Sequence, residues 1–172
     1  MAIRVRSILL GLLALLVVLV LVGITMVGWQ IVLGPKARTV SDRKFQVTPE
    51  RVARGEYLVR AVGHCGECHS PRTMTMATDN SRFLAGNPKG PEDQAMPNIT
   101  PDPDTGIGKW SVEEIADYLG SGNKPDGDVA GGLMAEVIDG TLSGYKDLSQ
   151  ADRVAIAQYL KTIPPIRNKI GK

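Results

Sequence analysis

The chain has 172 residues and a formal charge of +2, the length of one ordinary domain. The charge is unevenly placed: residues 1–38 carry four basic and no acidic side chains, and the remainder sets 16 Lys or Arg against 18 Asp or Glu, a balance of −2. A mildly acidic body excludes a nucleic-acid binder, which needs a basic stripe.

Residues 7–33, SILLGLLALLVVLVLVGITMVGWQIVL, are uncharged. As a helix they extend roughly 40 Å at about 1.5 Å per residue, enough to cross a hydrocarbon core of about 30 Å with tilt. A secretory apolar region is only about 7–15 residues long, and no small-residue cleavage site follows. An uncleaved single transmembrane helix within residues 1–33 is therefore expected. Arg4 and Arg6 keep the short N-terminal tail inside, although Lys36 and Arg38 blur the bias. The rest of the chain would stand on the periplasmic side of an inner membrane.

Residues 34–48 read as a polar linker, and 49–172 as the second domain. In TPERVARGEYLVRAVG, Thr48 can cap a helix with Pro49 at its first position. Gly55 sits mid-helix, where it costs up to about 1 kcal/mol relative to Ala; a close helix crossing or simple tolerance would each account for it. Residues 70–108 are rich in Pro, Asp, Asn, Gly and Thr and read as a long loop, which belongs in a domain only if it covers something functional. WSVEEIADYLGSG follows, with a capping box from Ser111 and Glu114 and a stop at Gly120. A short helix is expected over about Leu133 to Ile138. The last helix is capped by Ser149 and ended by Pro164 and Pro165. No run of alternating strands, no repeat and no phosphate-binding glycine loop is present, so the expected class is all-α.

Both cysteines and both histidines fall within GHCGECHSPR. Cys65, Cys68 and His69 form C-x-x-C-H, the attachment pattern of c-type haem. Thiols three positions apart can reach the two vinyl groups of one porphyrin, and the next residue, His69, is then held beneath the iron. A structural zinc site needs four ligands, and no second pair exists. A thioredoxin-like pair needs a strand–helix setting that is missing. His64 is expected on the surface. One covalently bound haem c is the implied cofactor, and its attachment outside the cytoplasm agrees with the expected orientation.

With those residues in place, the chain resembles a membrane-anchored class I cytochrome c. More narrowly, RGEYLVRAVGHCGECHSPR and PNITPDPDTGIGKWSVEEIADYL are similar to haem domains in the cytochrome subunits of bacterial membrane-bound alcohol and gluconate-type dehydrogenases, over about residues 50–165. Such subunits often carry several haem domains; this sequence carries one C-x-x-C-H. The resemblance implies thioethers at Cys65 and Cys68 and axial ligation by His69. It implies a proline carbonyl, here Pro97, on the other imidazole nitrogen. Trp110 would lie near a haem propionate or simply in the core, and the helix around Gly55 would cross the last helix near Tyr159. For the sixth iron ligand, Met1 and Met26 belong to the tail and span, Met74 and Met76 follow His69 too closely, and Met96 adjoins Pro97 on the wrong side. Met134 lies where such cytochromes bring a methionine across the other face. The implied function is one-electron transfer without substrate chemistry, from a dehydrogenase or other respiratory donor to an oxidase or cytochrome acceptor. Alternatives are a sensor or enzyme with an open sixth iron position, or a haem subunit fixed in a larger complex.

Overall fold

The computed structural model describes residues 2–27, 45–140 and 144–171, with side chains in the first stretch described for 9–25. Two compact units, Met1–Arg38 and Thr39–Lys172, divide the chain.

Helix α1, Ala2–Val27, belongs to the first unit. The run is leucine-rich and contains no proline, so nothing interrupts its hydrogen-bond ladder. Its large apolar side chains from Leu9 to Val22 are each at least 50% exposed. Among the described residues, no helix is long and apolar enough to cross a membrane. The expected span, residues 7–33, runs past residue 27 and lies partly outside them, as does most of the expected linker.

In the second unit, α2 (Pro49–Tyr57) continues into a π turn over Leu58–Val62. Then come α3 (Cys65–His69), α4 (Val112–Ser121), α5 (Gly132–Asp139) and α6 (Gln150–Thr162). Among the described residues there is no strand, only isolated bridges such as Asn87 with Met96, so the all-α expectation holds. The caps form as the sequence predicts. The Thr48 hydroxyl accepts from Arg51 N, Ser111 and Glu114 close a reciprocal capping box, and the Ser149 hydroxyl accepts from Asp152 N.

The stop at Gly120 is a correction. The fourth helix runs on to Ser121, and Gly122 ends it in the left-handed conformation, φ 73°, with its N–H on Tyr118 O at 2.8 Å. Gly120 instead makes room for a neighbour: a Cβ there would stand 2.7 Å from the Arg153 guanidinium. The π turn is also absent from the sequence reading. It closes with Gly63 N donating to Leu58 O at 2.7 Å, and it leaves the adjacent Leu58 and Val59 both buried.

The core centres on α6. Residues Val154 through Leu160 are all buried, so this helix is covered on every side. Both α2 and α4 pack on it. The α2 crossing falls at Gly55, where a Cβ would run into the Ala155 carbonyl and stand 2.8 Å from Tyr159 Cβ. Close approach, rather than tolerance, accounts for the glycine. An ion pair of 2.9 Å between Arg54 and Asp152 sits beside the crossing. Gln158, also buried, donates to Gln46 O at 3.1 Å, which ties the described end of the linker to α6.

Candidate haem site

The site is organised by α3, a helix of little more than one turn that carries both thiols and the imidazole. His64 precedes it in the left-handed conformation, φ 47°, and is exposed, as expected. That turn aims the following residues inward: His69 is 9% exposed, while Cys65 and Cys68 are half-buried and free of any disulfide. Burial pushes the Cys65 thiol up to about 11, and it raises Cys68 as well. Neither sulfur is therefore a ready thiolate on its own; each borders a cavity as a neutral, soft group.

His69 Nδ1 lies 2.8 Å from the carbonyl oxygen of Pro97 and donates to it. Its other ring nitrogen then carries the lone pair. Burial lowers the proton affinity of the imidazole, and the Pro97 carbonyl opposes only part of that shift. The ring is held neutral and in one tautomer, the form that ligates a metal.

Beside these groups opens a cavity of about 440 Å³. Cys65, Cys68, His69, Pro97, Trp110 and Met134 all border it, so residues spread over 70 positions of sequence converge on one space. Apolar side chains from α4 and α6, among them Ile115 and Leu160, complete its wall. A cavity of that size lies in the usual range for organic cofactors. Trp110 meets Tyr118 edge-to-face, with ring centroids 5.4 Å apart. Met134 is half-buried and is the third residue of α5. Met96 borders the same cavity, is 7% exposed, and packs against Gly90 on the segment that carries Pro97. Met74 and Met76 are 103% and 74% exposed and take no part.

The donor set fits a covalently attached haem. Two neutral thiols flank the cavity, a neutral imidazole with a fixed tautomer faces the same region, and thioethers border it. Cys65, Cys68 and His69 would hold the group.

Three contributors were not legible in the sequence. The Tyr145 hydroxyl donates to Gly63 O at 2.8 Å and touches Cys65 Sγ at 3.9 Å, bracing the start of α3 from 80 residues away. Lys161 Nζ donates to Gly108 O and Trp110 O at 2.7 and 2.9 Å. Asn98 accepts from Thr100 N and Thr100 Oγ1 and donates to Ile166 O at 2.7 Å. Only the last had a signal, in the polar run NITPDPDT that a structureless loop would not need.

No protein-family model matches the chain. Curated relatives do. A diheme cytochrome c-type protein of Cereibacter sphaeroides is 44% identical over 139 residues, which cover 81% of this chain and 43% of the relative. The fructose dehydrogenase cytochrome subunit of Gluconobacter japonicus is 42% identical over 111 residues, 64% of this chain and 22% of the relative. The cytochrome c subunit of the quinone alcohol dehydrogenase of Gluconobacter oxydans is 35% identical over 145 residues, 80% of this chain and 29% of the relative. This chain is similar to cytochrome c subunits of bacterial dehydrogenases, and the resemblance read from the motifs is borne out. The second and third of these relatives are named as the cytochrome subunits of their dehydrogenases. The chain spans less than half the length of each of them.

Proposed function

We propose that this protein is a membrane-tethered one-electron carrier built on a single c-type haem ligated by His69 and Met134. The observation that carries the reading is the 2.8 Å bond from His69 to Pro97 O at the edge of a cavity bordered by both thiols. When bound, the haem supplies a reversible ferric–ferrous couple. Cys65 and Cys68 anchor it, the Pro97 carbonyl orients the imidazole, and Ile115 and Leu160 help to exclude water. Met134 is preferred over Met96 as the sixth ligand because Met96 shares its segment with Pro97, which secures the opposite, His69 side. A thioether ligand favours the reduced iron and raises the potential.

The tether rests on the uncharged run 7–33 and on the helical backbone of Ala2–Val27, along which the large side chains from Leu9 to Val22 are all apolar. The haem domain would then stand on the periplasmic face of the inner membrane. The donor would be a dehydrogenase or another respiratory protein, and the acceptor an oxidase or cytochrome. The names of the relatives favour a second arrangement, in which the chain is a haem subunit held within a dehydrogenase complex. Purification from solubilised membranes separates the two: a free carrier elutes alone, and a fixed subunit elutes with its enzyme.

The decisive test is spectroscopic. Oxidised wild-type protein should show the weak near-infrared band of iron–thioether ligation, and Met134→Ala should abolish it and let carbon monoxide bind the reduced haem. Ready carbon monoxide binding by the wild type would overturn the sixth-ligand assignment in favour of an open iron position. For the tether, the haem-bearing chain should remain in the membrane fraction at high salt with residue 1 intact. A mature N-terminus near residue 34 would mark a cleaved signal.

A further inference from the structure

Lys161 has no part in holding the haem, yet its position is tightly specified. It follows Leu160, which borders the cavity, but its side chain turns away to the loop that lies over α6. There Nζ donates to Gly108 O at 2.7 Å and to Trp110 O at 2.9 Å. Ile107, next to Gly108, and Trp110 itself both border the cavity. Lys161 is half-buried, so solvent screens it only in part. Two carbonyl oxygens are a poor setting for a neutral amine and a good one for an ammonium. Burial pulls the Lys161 ammonium below the usual lysine range, and the Glu114 carboxylate opposes part of that shift by favouring the charged form. Glu114 is itself occupied, accepting from Ser111 N at 2.7 Å at the start of α4.

We propose that Lys161 tunes the redox poise of the site: its ammonium, fixed behind Trp110, favours the reduced state of the iron. This rests on the haem reading above. Reduction transfers one electron from the donor to the ferric iron, with no other bond made or broken, so the site gains one negative charge. A cation fixed on the backbone carbonyl of Trp110, which borders the cavity, lowers the free energy of that state relative to the oxidised one. The same geometry assigns Glu114 the opposite sign.

The test is potentiometric titration of the purified, haem-loaded full chain. Lys161→Gln, which keeps a donor for one carbonyl, and Lys161→Met should each shift the equilibrium about tenfold toward ferric, about 59 mV for a one-electron couple. Lys161→Arg, which keeps the charge, should stay within about twofold of wild type, less than about 20 mV. Glu114→Gln retains a capping side chain and should move the potential upward. If neutral replacements at Lys161 do not retain haem, the Glu114→Gln and Lys161→Arg measurements decide alone. Shifts smaller than twofold in Lys161→Gln, a fall in Lys161→Arg equal to that in Lys161→Gln, or a Glu114→Gln potential that fails to rise each overturn the proposal. Failure of the haem reading looks different: the wild-type chain would then carry no covalently bound haem, so no couple could be titrated.

Discussion

The two sides of the cavity are held by different physics. On the His69 side, the chain from Ser70 to Asp102 is irregular yet buried at its key polar points: Ser70 and Thr100 are 0% exposed, and Asn87 and Asn98 are 3%. Each is tied by hydrogen bonds, Ser70 Oγ to Leu84 N at 2.9 Å and Thr100 Oγ1 to Ile166 N at 3.1 Å. The Met134 side is a regular helix, but α5 has Gly131 at its N-cap with no side-chain bond there. Of its residues only Ile138 is buried. Irregular backbone cannot satisfy itself, so it must be pinned by side chains; a short helix pairs only part of its own backbone and depends on packing for its stability. The His69 side is therefore self-supporting, whereas α5 leans on what fills the cavity. In the proposed carrier, His69 would stand on the rigid side and Met134 on the side that depends on the filling.

The largest expected effect comes from removing the filling. Replacing both Cys65 and Cys68 with Ser leaves about 440 Å³ empty. Apolar walls left without packing partners should cost several kcal/mol, a large share of the stability of a typical domain. Hydrogen exchange on the haem-free variant should show α5 amides unprotected while Leu84 to Thr100 keep more protection. Uniform loss on both sides would break the contrast.

Gly55→Ala comes next, and it strikes the α2–α6 crossing beneath both sides. The added Cβ meets backbone, the Ala155 carbonyl, which cannot swing away. A loss of about 2–4 kcal/mol is expected by chemical denaturation, from overpacking of a fixed contact.

Asn98→Ala should cost about 2–3 kcal/mol, because Thr100 N is left buried without an acceptor. On the opposite side Glu136→Ala, at an exposed position of α5, should stay within about 0.5 kcal/mol. Equal effects of the two substitutions in thermal melts would show that the His69-side network adds nothing.

The smallest effect is a pH dependence. Asp102 is held below the usual carboxylate range, first by the Thr105 hydroxyl and then by the Thr105 and Asp104 amides and the Arg167 charge. A depressed carboxyl contributes stability that is fully present above its unfolded value of about 3.9 and is lost as pH falls through the lower folded value. Denaturation midpoints should therefore drop between about pH 5 and pH 2, and Asp102→Asn should flatten that slope. An unchanged slope would mean that Asp102 contributes nothing to the pinning.

Much of this protein was legible without coordinates. C-x-x-C-H is local: five residues, Cys65 to His69, contain the whole attachment chemistry, because thioether spacing depends on neighbours in sequence. Caps at Thr48, Ser111 and Ser149 are local too, since each bond spans three residues. Gly55 left a trace of the α2–α6 crossing because a mid-helix glycine needs a reason. What only the tertiary structure decided is what joins distant segments. The end of α4 is set by Gly122 in the left-handed conformation, and Gly120 instead leaves room for Arg153 on another helix. Tyr145 reached Gly63, and Lys161 reached Gly108 and Trp110, across separations of 82, 53 and 51 residues. A hydrogen bond is indifferent to the length of chain between its partners, and residue type records only that a donor exists. Which carbonyl it meets is settled when the helices pack.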